Sequence, residues 1–200
     1  MGPRPVAVLD ANVLYPFQLR NLLLHLSVEG LYRPLWSDAI MGEVRRALVG
    51  KAQVTPEQWD HLLGQMKKHF PDSWGSGYAG AADGVALPDE GDRHVVALAL
   101  AYEAEVIITS NLKHFGAVTL DPFGTAAVHP DDFCVALAEH DPGAVLRAAE
   151  QHRISLKTRP LRGDEYLTML ETKAGLRRTS RFLLEAGFLS RTVQRPLARR

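Results

Sequence analysis

The sequence predicts an α/β protein: a three-layer α/β/α sandwich with a mostly parallel central sheet, followed by a helical C-terminal extension. Three observations lead there. VAVL (6–9) and EVIITS (105–110) are short, continuous apolar runs rich in β-branched residues, the signature of strands buried on both faces. Helical patterns fill the stretches between strands, as crossover connections in a parallel sheet require. After about residue 140 the strand signal stops, and Leu- and Arg-rich helical patterns take over.

VAVL opens the sheet, and Asp10-Ala-Asn12 turns into a helix over 17–26 that Gly30 ends. LYRPLWS (31–37) is extended, but Pro34 cannot donate to a ladder, which predicts an edge strand at best. Ser37 or Asp38 caps the next helix, with Ile40, Val44 and Leu48 on one face and Gly50 as its stop. Thr55-Pro56-Glu57 supplies a cap, a proline at the first helical position and an acid in the first turn, so a helix runs to about Phe70. Residues 72–84 hold four glycines and read as an irregular connection, with VALP (85–88) as a small strand. HVVALALAYEA (94–104) is a strongly apolar helix, and EVIITS follows as the second buried strand. A turn at 112–115, a further strand within AVTLDPFG (117–124) and a helix over 130–140 complete the α/β part. The extension contributes helices at 142–151, 163–174 and 176–187, with RISLKTRPLRG (153–163) as a linker and a frayed end.

Two parts are expected, residues 1–138 and a basic helical extension over 139–200. A composition of 46% hydrophobic and 23% charged residues is that of a globular protein. With no run of eighteen apolar residues and no secretory signal pattern, no membrane span and a cytoplasmic location are expected. The one cysteine, Cys134, excludes an intrachain disulfide and a Cys-rich zinc site. The net charge of zero hides an asymmetry. Residues 1–134 carry 16 acidic and 10 basic residues, a net −6, and residues 135–200 carry 7 and 13, a net +6. An acidic segment suits cations, and a basic one suits phosphates or an acidic partner.

The candidate chemistry starts from Asp10. A carboxylate at the end of a buried strand is costly without a partner. Parallel strands joined by right-handed crossovers have their carboxyl ends on one edge, where ligands of open α/β sheets collect. Asp10, Asn111 and the helix that starts at Asp92 converge there, and Glu43 borders the apolar face of its helix. Carboxylates gathered in one cleft repel each other, and a divalent cation removes that cost. Oxygen ligands favour Mg²⁺ or Mn²⁺. Asp10, Glu43 and Asp92 are therefore the candidate metal ligands, with Asn111 supplying an amide oxygen or orienting a water. The D-A-N turn after the first strand lacks the G-x-G-x-x-G of dinucleotide-binding enzymes.

VLDANVLYP, the helix around Glu43, LPDEGDRHVVALA and VIITSNLKHF together resemble the PIN-domain family over about residues 5–135. More narrowly, they are similar to bacterial VapC-type toxin components of toxin–antitoxin systems. The resemblance implies a PIN-like sandwich and an Mg²⁺- or Mn²⁺-dependent endoribonuclease. It implies catalytic roles for Asp10, Glu43, Asp92 and Asn111, the last standing where the family often has an acid. Asn12 stands where the family often has a hydroxyl residue, and Asp89 and Ser110 are supporting candidates. Arg93, His94, Lys113 and His114, with Arg177, Arg178 and Arg181 of the extension, are candidates for contact with RNA. A protein antitoxin and a homodimer are the implied partners. The Asn111 departure keeps an alternative open: a catalytically weak or inactive PIN-like module that binds RNA or protein.

Overall fold

A computed structural model describes residues 4–116, 120–156 and 160–193, the last three by their backbone. The chain forms two compact units: Met1–Tyr15 with Tyr32–His129, and Pro16–Leu31 with Pro130–Arg200.

The first unit is built on a five-stranded sheet, parallel throughout, in the order β3-β2-β1-β4-β5. The strands are β1 (Val6–Leu9), β2 (Arg33–Ser37), β3 (Trp74–Gly75), β4 (Val106–Ile108) and β5 (Ala126–Val128). β1 is central, and Ala7, Val8 and Leu9 are wholly buried. From β1 the chain builds β2 and β3 to one side and then β4 and β5 to the other. The order therefore reverses between β1 and β4, the place where sheets of this kind open a crevice at their carboxyl ends. The helices are α1 (Ala11–Leu14), α3 (Asp38–Gly50), α4 (Pro56–His69) and α5 (Arg93–Ala101). Their starts follow the expected chemistry. Ser37 Oγ accepts from the Ile40 N–H, and Thr55 and Gln58 form a reciprocal capping box.

Three sequence expectations are corrected here. Pro34 does not confine β2 to an edge: β2 lies between β1 and β3. The Arg33 N–H donates to Pro5 O, toward β1, so alternation turns the proline's missing donor to the other side. β3 pairs only with Trp36 and Ser37, so no ladder bond is lost at Pro34. Residues 85–88 form no strand, and the short strand is Trp74–Gly75, inside the glycine-rich connection. Gly75 is needed there because a Cβ would lie 2.4 Å from Leu98 Cδ1, where α5 crosses. The later strand is Ala126–Val128, and the described part of the predicted stretch, 120–124, forms none. Residues 117–119 lie outside the described residues, and Asp121–Phe123 is a 3-10 turn closed by Gly124 at φ +69°.

The second unit is helical: α2 (Phe17–Val28), α6 (Pro130–His140), α7 (Pro142–Ser155), α8 (Gly163–Lys173), α9 (Arg177–Glu185) and α10 (Phe188–Val193). α2 packs on α7, its Leu19, Leu22, Leu23 and Leu26 at most 2% exposed. α7 runs four residues past the predicted end, into the stretch read as linker, where Arg153 pairs with Glu150 and donates to Leu161 O. Buried Asp131 caps another helix: it accepts from the N–H groups of Arg178 and Thr179, both at 2.8 Å, and from the Thr179 hydroxyl. Cys134 is buried, which pushes its thiol up to about 12 and leaves it no role as a nucleophile. Among the described residues no helix is long and apolar enough to cross a membrane.

Candidate active site

The ladder between β1 and β4 continues one residue beyond the strands, through the Asp10 N–H to Ile108 O. Leu9 stands opposite Ile108, so the next pair is Asp10 and Thr109. Asp10 is 4% exposed. Its Oδ2 accepts from Thr109 Oγ1 at 2.7 Å and from Asn12 Nδ2 at 2.5 Å. Asn12 also donates to Thr109 Oγ1, and its own amide oxygen accepts from the Ser110 N–H. Thr109 Oγ1 further accepts from the Asn111 N–H at 3.0 Å. The two strand ends are thus stitched by neutral donors that fix the carboxyl group of Asp10. Burial pushes that carboxyl above its ordinary range; the Thr109 hydrogen bond opposes this, and the charge of Asp92 adds to it.

Glu43 and Asp92 share a cleft of about 360 Å³ with Asp10, whose walls also include Asn12, Tyr15 and Lys51. Glu43 projects from α3. Burial raises its carboxyl, His94 and Arg46 oppose the rise, and Asp10 and Asp92 reinforce it. His94 Nε2 lies 3.5 Å from Glu43 Oε1, while its Nδ1 is 2.9 Å from Gly91 O, which orients the ring. Asp92 stands at the start of α5 without using its side chain as a cap. Asp89 does cap, accepting from the Gly91 N–H at 2.8 Å.

Asn111 reaches the acids through His114. His114 Nδ1 is 2.8 Å from Asp92 Oδ2, 2.7 Å from Asn111 Nδ2 and 3.5 Å from Asp89 Oδ2. One ring nitrogen cannot donate to Asp92 and accept from Asn111 at once, so the two compete for it. Among the described residues, Asp89, Asp92 and His114 are the group of three donors whose ligand atoms lie within 4.8 Å of one another; Asp10, Glu43 and Asp92 share a cleft without being that close together. Asp10, Glu43 and Asp92 present oxygen donors only, and Asp10 and Glu43 are raised by burial and by neighbouring carboxylates. That set fits a hard divalent cation, which would offset both effects.

The basic candidates fall in both units. Arg93 forms a two-pronged pair with Glu90 at 2.6 Å and donates to Ala82 O and Val85 O, so it ties down the preceding segment. Lys113 is exposed in the turn after β4. Arg177, Arg178 and Arg181 belong to the helical unit, where Arg178 pairs with Asp132 and Arg181 with Glu185. Sequence reasoning missed Thr109, Tyr15 and Lys51. Aligning VLD of β1 with IIT of β4 is the signal that would have found Thr109.

The family model described as PIN domain matches residues 6–113. The chain belongs to the PIN-domain family. The match spans β1 to the turn after β4 and contains Asp10, Glu43, Asp92 and Asn111. A second model, the VapC50 C-terminal domain, matches residues 130–185, within the helical unit. A curated protein of Mycobacterium tuberculosis (strain ATCC 25618 / H37Rv), named "Putative ribonuclease VapC50", is 57% identical over 42 residues. That alignment covers 21% of this PIN chain and 25% of the relative, so the chain spans about a quarter of the length of the curated protein it matches. No solved structure matches.

Proposed function

We propose that this PIN protein is an endoribonuclease dependent on Mg²⁺ or Mn²⁺, and the toxin of a type II toxin–antitoxin pair. Asp10, Glu43 and Asp92 would hold the cation. The observation that carries the reading is Asp10: a carboxyl 4% exposed at the carboxyl end of the central strand, in one cleft with two further acids. A divalent cation in such a site supplies an acidified water and charge compensation at a scissile phosphate. The chain's own groups do the positioning. Thr109 and Asn12 hold the Asp10 carboxylate in one orientation, the His94 ring stands beside Glu43, and His114 orients Asp92 when its Nδ1 donates there rather than accepting from Asn111. The name of the curated relative supports ribonuclease chemistry. An RNA substrate, a protein antitoxin, a homodimer and a cytoplasmic location belong to the same reading.

Purified protein is incubated with a labelled RNA pool and Mn²⁺ or Mg²⁺, beside EDTA and Asp10→Asn controls. The expected result is cleavage that both controls abolish. A folded protein, freed of any co-purifying partner, that leaves RNA intact with metal present would overturn the reading. The weak or inactive binding module, which Asn111 in place of an acid favours, would then stand.

A further inference from the structure

The cleft is larger than the acids need. Its volume of about 360 Å³ exceeds that of one cation, and it falls at the low end of the range for small-ligand pockets, about 300–1,000 Å³. Two of its polar lining residues, Tyr15 and Lys51, take no part in the chemistry above. Tyr15 follows α1 and is half-buried, and Lys51 follows α3 and is exposed. Lys51 Nζ lies over the Tyr15 ring, 5.3 Å from its centroid. Among the described residues no carboxylate pairs with Lys51, although Asp10, Glu43 and Asp92 line the same cleft. Another basic side chain near these acids, Arg46, does pair with Glu43. A lysine held on an aromatic face, close to acids yet bound to none, is a cation kept available for an anion from outside. An aromatic ring beside it offers a surface on which any base can stack.

We propose that Lys51 and Tyr15 form a nucleotide subsite for single-stranded RNA next to the metal-binding acids. Lys51 takes the phosphate of the nucleotide neighbouring the scissile bond, and Tyr15 stacks its base. The ammonium now lying on the ring follows the phosphate and gives up that face to the base. Recognition of this kind reads strandedness and leaves base identity open, because every base has a π-face. The inference rests on the ribonuclease reading of the cleft.

The test uses the full chain carrying Asp10→Asn, in Mg²⁺, titrated into a fluorescently labelled single-stranded RNA oligonucleotide at several salt concentrations. Lys51→Gln, Tyr15→Ala and Tyr15→Phe are added singly, each checked for folding by circular dichroism. Lys51→Gln should weaken binding and lower the slope of log affinity against log salt by about 0.7, the value of one single-strand phosphate contact. Tyr15→Ala should weaken binding on the order of tenfold, and Tyr15→Phe should retain it. With Asp10 intact, Lys51→Gln should raise KM while changing kcat by less than about twofold. Unchanged affinity in both Lys51→Gln and Tyr15→Ala, in a protein whose parent cleaves RNA, overturns the subsite and leaves the nuclease reading standing. Weaker binding by Lys51→Gln with an unchanged salt slope also overturns it, since the loss is then one of packing. A parent that neither binds nor cleaves RNA overturns both.

Discussion

Lowering the pH from 7.5 to 5.0 should weaken the helical unit through one side chain, His152. The ring is wholly buried between α7 and α8, with Nδ1 3.0 Å from the Tyr166 hydroxyl and Nε2 without a hydrogen-bond partner. The His25 ring of α2 lies 5.7 Å away between centroids. Burial, and then the charge of His25, pushes the imidazole down from 6.5 to about 3. The folded value lies below the unfolded one, so the unfolded chain binds the extra proton. The stabilisation is therefore complete above pH 6.5 and is lost as pH falls toward 3. At 1.36 kcal/mol per pH unit, the fall to pH 5.0 costs about 2 kcal/mol. Burial moves His25 in the same direction. The assay is urea unfolding at the two pH values, followed by far-UV circular dichroism. Tryptophan fluorescence would not serve, because Trp36, Trp59 and Trp74 all belong to the sheet unit. His152→Gln keeps a polar group for Tyr166 and cannot titrate. The parent should lose about 2 kcal/mol more than His152→Gln over this interval, and equal losses would refute the reasoning.

Three other substitutions test the packing and the site. Thr109→Val keeps the volume but removes the hydroxyl donor of Asp10 and the acceptor of Asn12 and Asn111; it should cost about 1–3 kcal/mol in urea unfolding. The same change should raise the Asp10 carboxyl further and weaken Mn²⁺ binding by isothermal titration calorimetry; unaltered metal affinity would count against Asp10 as a ligand. Gly75→Ala forces a Cβ against Leu98 and should destabilise by about 1–3 kcal/mol, seen as a lower Tm. Asp131→Ala uncaps α9 and should cost about 1–2 kcal/mol, with faster amide exchange at residues 178 and 179 as its local mark.

The sheet was legible where local chemistry decides it. β1 and β4 are continuous β-branched runs, and the caps at Ser37 and Thr55 need only neighbouring residues. β3 was not legible, because a two-residue strand has no period and exists only through its pairing with β2. Pro34 misled because the edge rule concerns the side on which a donor is missing, and that side depends on register. In the site, the convergence of Asp10, Glu43 and Asp92 followed from strand order and helix placement. Thr109 escaped notice because a threonine in a strand needs no explanation until the opposite strand is aligned with it. The engagement of Asn111 with His114, a short turn later, is decided by side-chain rotation and lies beyond any pattern in the chain.

The pairing of α2 with α7 has a consequence for the order in which the chain is made. Residue 28 leaves the ribosome long before residue 142. At synthesis rates of about 5–20 residues per second, the leucines of α2 wait on the order of ten seconds for their cover. During that interval Leu19, Leu22, Leu23 and Leu26 form the kind of apolar face that chaperones and proteases recognise. A message broken anywhere before residue 142 would leave that face open for good. The cover for leucines made before residue 28 thus arrives only with residues 142–155.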